Sequence, residues 1–330
     1  MSRSSALATL LMLAAPTQGC QEASGPASPD EPAALEVGYS ALRISLPVFV
    51  AEQQGLFRRH GLNVELRRYE TAQPLVEEVL DERVAAGGFA ALPIVMTAAS
   101  RDGSPVRVAT AMVEDADHPV SYLLRRRSDT SLAAPADLRG QTIGILPTVA
   151  YERWLDAVLE HAGLGRDHVT VIPVAPAQQA QMLEGGGVQA LFTNDPMATA
   201  MLSTGVAAPL GPAAPVPDAL GGPLVFGVFL VHPDTERERP EETARLIAAI
   251  DEAIEMIEAD QDAAREAMRA FVRAPERAHV MRYPPARYHS SERFDDAALR
   301  REVDAMLRLD ILERAPEVEG WVLSTATAPD

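Results

Sequence analysis

Lysine is absent from this sequence of 330 residues, and cysteine occurs only once. Because every basic residue other than histidine is an arginine, a Schiff-base lysine, a pyridoxal-phosphate site and a P-loop lysine are all excluded. The single cysteine, Cys20, cannot form an internal disulfide, a cysteine-based zinc or iron–sulfur site, or a Cys-X-X-Cys redox pair. These absences remove several enzyme classes before any motif is considered.

Positive charge is also scarce. The 29 basic residues are outnumbered by 47 acidic ones, and the resulting net charge of −18 repels phosphate backbones and anionic lipid surfaces. We therefore expect no nucleic-acid partner. The hydrophobic fraction of 47% and the charged fraction of 23% are ordinary for a soluble globular chain, and the length suits one large or two medium domains.

Motifs for metal and hydrolase chemistry are missing. The seven histidines are scattered, with neither a His-x-x-x-His pair nor a His-Glu-x-x-His motif, and Gly-x-Ser-x-Gly is also absent. Glu114, Asp115, Asp117 and His118 form one oxygen-rich and nitrogen-rich cluster, but no second cluster completes a metal shell. We interpret this cluster as a solvated loop, and we predict no metal site and no cofactor.

The N-terminal segment is predicted to direct export. Arg3 precedes the apolar run 6–15, which matches a signal-peptide core and is too short to span a bilayer, so residues 1–19 are predicted as a signal peptide. The Gly-Cys pair ending at Cys20 resembles the lipobox of bacterial lipoproteins, in which the cysteine is lipidated. Proline-rich residues 20–34 would then be a flexible tether. Ordinary cleavage and free secretion is the alternative.

Elsewhere no stretch approaches about 18 consecutive apolar residues, the length of a membrane-spanning helix. We therefore expect a periplasmic or cell-surface protein that contacts the membrane through a lipid anchor only.

Strand-like and helix-like patterns alternate along the rest of the chain, and they do so twice. One passage begins with the alternating run 35–39 and the other with the strand-like run 141–146, and strand–helix alternation of this kind predicts parallel sheets. Residues 120–124 and 225–231 are predicted as strands that leave and re-enter the first lobe. The sequence thus predicts an α/β fold of two lobes, each a mostly parallel sheet flanked by helices, joined by a two-strand hinge. Lobe one is predicted to span 35–119 and 225–330, and lobe two 120–224.

The segment that closes lobe two and the C-terminal part have patterns of their own. Residues 209–223 are rich in proline and are predicted as a loop. Helices are predicted at 241–257, 262–272 and 296–311, with apolar residues along one stripe. We expect these helices to pack on lobe one.

Candidate ligand-binding residues follow the predicted strands. In open α/β sheets, ligands bind at the carboxyl ends of strands, beside helix N-termini that favour anions and polar atoms. Aromatic residues there could stack on a ligand, polar ones could exchange hydrogen bonds with it, and Arg43 could pair with an anion. Equally, an aromatic residue at a strand end can belong to the core, and a hydroxyl can cap the next helix. The candidates are Tyr39, Ser40, Arg43, Ala91, Leu92, Thr148, Tyr151, Asn194, Asp195 and Phe226.

Five segments between residues 35 and 231 resemble a known family, the periplasmic substrate-binding proteins of nitrate, taurine, aliphatic-sulfonate and thiamine-pyrimidine uptake systems. The most specific is PVFVAEQQGLF at 47–57, followed by HGLNVE at 60–65. VGY at 37–39 precedes them, and DLRGQTIGI at 137–145 is similar to the entry strand of the second lobe. NDP at 194–196 is similar to the acidic-proline loop of the family.

The resemblance implies a monomer, not an enzyme, that closes on a small molecule and delivers it to an ABC transporter permease. The implied solute classes are a sulfonate, a nitrate-like anion or an aminopyrimidine. The binding loops differ from the family pattern, because Gly88, Gln189 and the Pro147-Thr148 turn replace its usual residues, so the solute stays open. An enzyme of the same fold acting on a small metabolite, and a ligand-sensing docking domain, are the alternative functions.

Overall fold

The structure, a computed structural model, describes residues 34–102 and 106–323. The predicted signal peptide, Cys20 and all of the predicted tether except residue 34 lie outside these residues. Within them, eleven strands form two sheets. The strands are β1 (Leu35–Ser40), β2 (Val64–Tyr69), β3 (Ala86–Ala91), β4 (Arg107–Glu114), β5 (Ser121–Arg126), β6 (Thr142–Ile145), β7 (Thr170–Pro173), β8 (Ala190–Asn194), β9 (Ala207–Pro209), β10 (Leu224–Val231) and β11 (Arg287–His289).

Helices connect the strands and cover the sheets. Those in the described part of the chain are α1 (Leu46–Gln53), α2 (Leu56–Arg59), α3 (Ala72–Leu80), α4 (Leu92–Asp102), α5 (Val149–His161), α6 (Pro176–Glu184), α7 (Met197–Thr204), α8 (Pro215–Leu220), α9 (Pro233–Glu238), α10 (Pro240–Ala259), α11 (Gln261–Met268), α12 (Ala274–Arg277) and α13 (Asp296–Arg308). None of the helices described here is long and apolar enough to cross a membrane.

The first sheet has the strand order β11-β4-β10-β3-β1-β2. Strand β1 pairs in parallel with both β2 and β3, whereas β10 lies antiparallel between β3 and β4. All eight residues of β10 are buried, as expected of an apolar strand in the middle of a sheet covered on both faces. Four of the six strands therefore run in one direction, and β10 is the strand that returns the chain to this sheet.

The second sheet has the order β7-β6-β8-β5-β9. Strand β6 pairs in parallel with β7 and β8, and β5 lies antiparallel between β8 and β9. The chain passes from the first sheet to the second over residues 115–120, and it returns just before β10. The mixed α/β class, with two sheets flanked by helices, is as predicted. The lobe boundaries at 119/120 and 224/225 stay predictions.

Two of the predicted C-terminal helices, α10 and α11, pack on helices of the first sheet, as predicted. Helix α10 contacts α1 and α2, and α11 contacts α1. The apolar stripe of α10, which includes Leu246, Ile250, Ile254 and Ile257, is buried. A stripe with this spacing faces one side of a helix, so burial against α1 accounts for its position.

The predicted loop 209–223 is wrong in one part, because it contains helix α8. Pro215 occupies the first helical position, where its missing N–H costs nothing, and Gly221 ends the helix in a left-handed conformation at φ 77°. Prolines that suggest a loop therefore begin a short helix here. Helix α8 packs on α5 and β5, which places it with the second sheet.

Candidate functional site

A cavity of about 800 Å³ lies where the two sheets meet. Its walls come mainly from the loops and helix starts that follow β1, β2, β3, β6 and β8, with single residues from β10 and the C-terminal part. This is the position expected for ligands of open α/β sheets, outside the carboxyl ends of the strands. Residues of both sheets face the same space, so one small molecule there would contact both.

Eight of the ten predicted site residues line this cavity. They are Ser40, Arg43, Ala91, Thr148, Tyr151, Asn194, Asp195 and Phe226. Their direct contact with a ligand stays a prediction. The structure thus brings together residues that are far apart in the chain.

Tyr39 and Leu92 are not among the described residues that line the cavity. The Tyr39 ring packs edge-on against Phe49 and Phe271, at centroid distances of 5.5 and 5.8 Å. Because successive strand residues point to opposite faces, Ser40 faces the cavity and Tyr39 faces the core. Leu92 is fully buried at the start of α4. Strand alternation therefore explains why Tyr39 offers no ring to a ligand in this structure.

Arg43 is held by an ion pair inside the protein. Its guanidinium lies 3.0 Å from the Asp195 carboxylate, and each side chain is only 4% exposed. The same guanidinium donates to the carbonyl oxygens of Pro119 at 2.6 Å, Pro284 at 3.3 Å and Pro285 at 3.2 Å. Burial is the largest single effect and lowers the pKa of Arg43, but Asp195 and three nearby tyrosines together outweigh it, so the pKa is raised. The Arg43 charge is therefore already paired with Asp195. The expected pairing of Arg43 with an anionic ligand does not fit this arrangement.

Asp195 is equally well satisfied. Its second oxygen accepts hydrogen bonds from the Thr199 hydroxyl at 2.6 Å and the Thr199 backbone N–H at 3.2 Å. The Tyr122 hydroxyl donates at 3.3 Å to the oxygen that faces Arg43. Burial and the nearby Asp195 charge raise the pKa of Tyr122, so Tyr122 stays a neutral donor. The Arg43–Asp195 pair thus joins the first sheet to the second, because the two residues follow β1 and β8.

Three aromatic side chains form one wall of the cavity. Tyr151 and Trp154 of α5 meet at a centroid distance of 5.3 Å, and Trp154 lies 6.1 Å from Phe226 of β10. Sequence reasoning missed Trp154, although its position three residues after Tyr151 places both on one face of α5. The rings are inclined to one another, by 67° between Tyr151 and Trp154 and by 33° between Trp154 and Phe226. The wall therefore combines a helix that contacts the second sheet with a strand of the first.

The Tyr151 hydroxyl is buried in this wall. It has no hydrogen bond of normal geometry to any described residue, and the Asn194 side chain lies beside it. Burial, followed by the charge of Glu114, raises the pKa of Tyr151 well above its ordinary value. The hydroxyl is therefore neutral and able both to donate and to accept.

Thr148 has a structural role at the entrance to α5. Its hydroxyl accepts a hydrogen bond from the Tyr151 backbone N–H at 3.3 Å, which makes it the N-cap of the helix. The same residue lines the cavity. Helix capping and a position in the cavity are thus combined in one side chain.

Charged groups at the cavity are few and mostly paired. Arg273 donates to Glu276 at 2.8 Å. Arg101, near the C-terminal end of α4, is exposed and lines the cavity, and no ion pair joins it to another described residue. Sequence reasoning missed Arg101, because it lies far from any strand end.

The predicted solvated loop at 114–118 is wrong for Glu114, which is fully buried. One carboxylate oxygen of Glu114 accepts hydrogen bonds from the Val120 and Ser121 backbone N–H groups and from the Ser121 hydroxyl, at 3.0, 2.7 and 2.7 Å. Glu114 thus joins the end of β4 to the start of β5. Asp115 accepts from His118 and Arg287, each at 2.7 Å, so this cluster serves the crossing between the sheets.

Glu82, His232 and Asp234 lie close enough to one another for a metal ion, with potential ligand atoms within 4.8 Å. His232 Nδ1 accepts a hydrogen bond from the Asp234 backbone N–H at 3.1 Å, which places the ring proton on Nε2, 3.8 Å from Glu82. Asp234 also pairs with Arg237. These contacts account for the group, and we assign no metal to it.

The cavity lining offers groups suited to non-covalent recognition. Among the described residues that line it there is no histidine and no cysteine, so neither a thiol nor a nucleophile–histidine pair is present in this lining. The lining instead offers aromatic faces, hydroxyls and an amide.

Comparison with known proteins gives a family and a fold. A family model described as NMT1/THI5 like matches residues 44–264. The nitrate import ATP-binding protein NrtC of Synechocystis sp. is 23% identical over 175 residues, which is 49% of this chain and 26% of that protein. The chain therefore spans about a quarter of the length of this curated relative.

Solved structures share the fold over most of the chain. The alkanesulfonate-binding protein SsuA from Xanthomonas axonopodis pv. citri, bound to MOPS, superposes with a TM-score of 0.67 at 19% identity and covers 89% of this chain and 99% of its own. A cysteine-to-serine mutant of DSZB in complex with biphenyl-2-sulfinic acid has a TM-score of 0.65 at 18% identity, with coverage of 88% and 96%. The predicted two-lobe periplasmic-binding-protein fold is confirmed by these matches. Because the family model extends over well more than half of the sequence, the chain belongs to the NMT1/THI5-like family.

Proposed function

We propose that this protein is an extracytoplasmic solute-binding protein that closes on a small molecule and delivers it to an ABC transporter permease. The observation that carries the proposal is the cavity of about 800 Å³ between the two sheets, lined from both sides. A solute that contacts both sheets binds the closed arrangement better than an open one, and it therefore favours closure. The size lies within the range of small-molecule sites, about 300–1,000 Å³.

The names of the relatives support transport. NrtC is named as a nitrate import protein and SsuA as an alkanesulfonate-binding protein. By this kinship we propose an ABC permease as partner, a monomer as the working form, and a periplasmic or cell-surface location with lipid attachment at Cys20. A sulfonate, a nitrate-like anion and an aminopyrimidine are the solute classes that the resemblance implies.

An enzyme is the second candidate, and the fold it shares with DSZB favours it, since that protein is named a desulfurization enzyme. The cavity lining argues against an enzyme, because the described residues that line it include no histidine and no cysteine. Solute binding without chemical change is therefore the better-supported function. A ligand-sensing docking domain would bind solute in the same way but would not need a permease.

Thermal unfolding of the full chain in the presence of single solutes tests this proposal. The panel contains nitrate, alkanesulfonates, aminopyrimidines and simple aromatic amides. A solute that binds only the folded state stabilises it by RT ln(1 + [L]/Kd), about 2.7 kcal/mol at a hundredfold excess over Kd. We expect selective stabilisation by one class, with the solute recovered chemically unchanged. Turnover of that solute would favour the enzyme, and the lack of any selective shift would contradict a solute receptor.

The transport step has its own test. Uptake of the stabilising solute by cells that lack this protein should fall, and it should return when the protein is restored. Restored signalling without restored uptake would favour the docking domain.

A further inference from the structure

We propose that the solute is an aromatic or heteroaromatic molecule carrying an uncharged hydrogen-bonding group, which the Tyr151 hydroxyl and the Asn194 amide recognise, and that small anions are disfavoured. This inference rests on the proposed function, because it names the class of solute that the receptor takes.

The cations of the cavity are the first observation. Arg43 is buried but its charge is met by Asp195 at 3.0 Å. Arg273 is held by Glu276 at 2.8 Å, and Arg101 is exposed, where water and salt screen its charge. A buried anion requires a paired cation or strong hydrogen bonds. The inner part of the cavity therefore supplies no unneutralised cation from the described residues.

A buried carboxyl group near Tyr151 is the second observation. Glu114 is fully buried, and one of its carboxylate oxygens has no partner among the described residues. Burial raises the pKa of Glu114, and the Asp195 charge is already met by Arg43. An anion placed beside Tyr151 would therefore find no free cation among the described residues, whereas a buried charge needs a partner.

The shape of the cavity is the third observation. A cavity of about 800 Å³ is far larger than a nitrate ion, which would leave most of the apolar wall in contact with water. Tyr151, Trp154 and Phe226 instead offer ring faces and edges within 5.3 and 6.1 Å of one another. An aromatic ligand packed against such rings is stabilised beyond the burial of its apolar area.

The polar anchor is the fourth observation. The Tyr151 hydroxyl is buried and lacks a hydrogen bond of normal geometry to the described residues, in a side chain that lines the cavity. Leaving a buried hydroxyl unpaired is costly, and a ligand that pairs with it removes this cost. Since Tyr151 is neutral, and Asn194 beside it both donates and accepts, an uncharged amide, carbonyl or ring nitrogen is the matching group.

Calorimetric titration of the full chain with benzamide and benzoate tests the inference, because these probes share a ring and nearly a shape but differ in charge. We expect benzamide to bind at least tenfold more tightly than benzoate, nitrate or methanesulfonate. Tyr151→Phe keeps the ring and removes the hydroxyl, and it should weaken benzamide binding about tenfold, as expected for one lost hydrogen bond of about 1.4 kcal/mol.

Tyr69→Phe is the matched control, since the Tyr69 hydroxyl contacts Glu78 and its side chain does not line the cavity. This variant should bind benzamide as the parent does. If benzoate, methanesulfonate or nitrate bound more tightly than benzamide, the inference would be overturned, but the proposed function as a solute receptor would still hold. Unchanged benzamide affinity in Tyr151→Phe would overturn the role of the hydroxyl. If no probe of either class binds or stabilises the protein, the inference and the proposed function both fail.

Discussion

At the scale of single residues, the Arg43–Asp195 pair decides what the cavity can bind. Both groups were candidates for ligand contact, one as a partner of anions and the other as an acceptor. In the structure they neutralise each other at 3.0 Å while both remain lining residues. A buried ion pair contributes little net stability compared with apolar residues, but the loss of one partner leaves an uncompensated charge.

Asp195→Asn should therefore lower the free energy of unfolding by about 3–5 kcal/mol, because Arg43 stays buried without a counter-charge. The same change should raise the affinity for benzoate relative to benzamide, since the Arg43 charge is then available to an anion. Denaturant unfolding measures the first effect and calorimetric titration the second.

Asp81→Asn is the control for this prediction. Asp81 pairs with Arg83 at 2.8 Å, but both side chains are more than half exposed, so removal of the charge should change stability by less than about 1 kcal/mol. An equal loss in the free energy of unfolding in Asp81→Asn and Asp195→Asn would contradict the prediction that the buried Asp195 charge matters more than an exposed one.

At the scale of elements, helix α5 carries the aromatic wall and begins at a cap that also lines the cavity. Thr148 caps α5 through the Tyr151 backbone N–H, and Asp295 caps α13 by accepting from the Ala298 backbone N–H at 2.7 Å. The two caps have the same function in the helix, but only Thr148 lines the cavity. A comparison of variants at the two caps therefore separates the loss of helix stability from the loss of ligand affinity.

Thr148→Ala and Asp295→Ala should each lower the free energy of unfolding by about 1 kcal/mol, the usual cost of a lost N-cap. Only Thr148→Ala should weaken benzamide binding, because the start of α5 positions Tyr151. Thermal unfolding and calorimetric titration of both variants check this. Weaker binding in Asp295→Ala to the same degree would show that general loss of stability, and not the start of α5, sets the affinity.

Element by element, the fold was largely predictable, and the reasons are local. The proline at the start of α1, the alternation in β1 and the apolar stripe of α10 depend on residues a few positions apart. Helix α8 was missed because prolines in the first turn of a helix and prolines in a loop give the same local signal. Both Tyr39 and Ser40 were predicted to contact the ligand, but successive strand residues point apart, and only Ser40 lines the cavity. The alternation does not show which of the two meets the cavity.

At the scale of the whole molecule, two carboxyl groups act on the pH dependence of stability in opposite directions. Burial would raise the pKa of Asp115, but hydrogen bonds from Arg287 and His118 outweigh it and lower the pKa to about 2. The stability that Asp115 gains from this lowered pKa is present above its unfolded pKa of about 4 and is lost as pH falls towards 2.

Glu302 has the opposite effect. Burial raises the pKa of Glu302 to about 7, so the folded state holds its proton more tightly than the unfolded state does. The free energy of unfolding therefore declines as pH rises from about 4.5 to 7.

Glu302→Gln should remove this decline. We expect the variant to be more stable than the parent at pH 8, by about 1–3 kcal/mol, and to match it near pH 4.5, because the parent no longer has to keep a charge buried. Unfolding in denaturant at a series of pH values measures the difference. Asp304→Asn on the exposed side of the same helix is the control and should follow the parent at every pH. A constant difference across the pH range would contradict the titration of Glu302.

The sequence by itself determined the α/β class, the order of most strands and helices, the excluded lysine and cysteine chemistries, and eight of the residues that line the cavity. These depend on composition and on patterns within a few residues, where local geometry sets the outcome. Only the tertiary structure decided that Asp195 neutralises Arg43, that Trp154 of α5 meets Phe226 of β10, and that Tyr39 belongs to the core. Such pairings join residues far apart in the chain, and they follow from how the two sheets are brought together and from which side of each strand is covered.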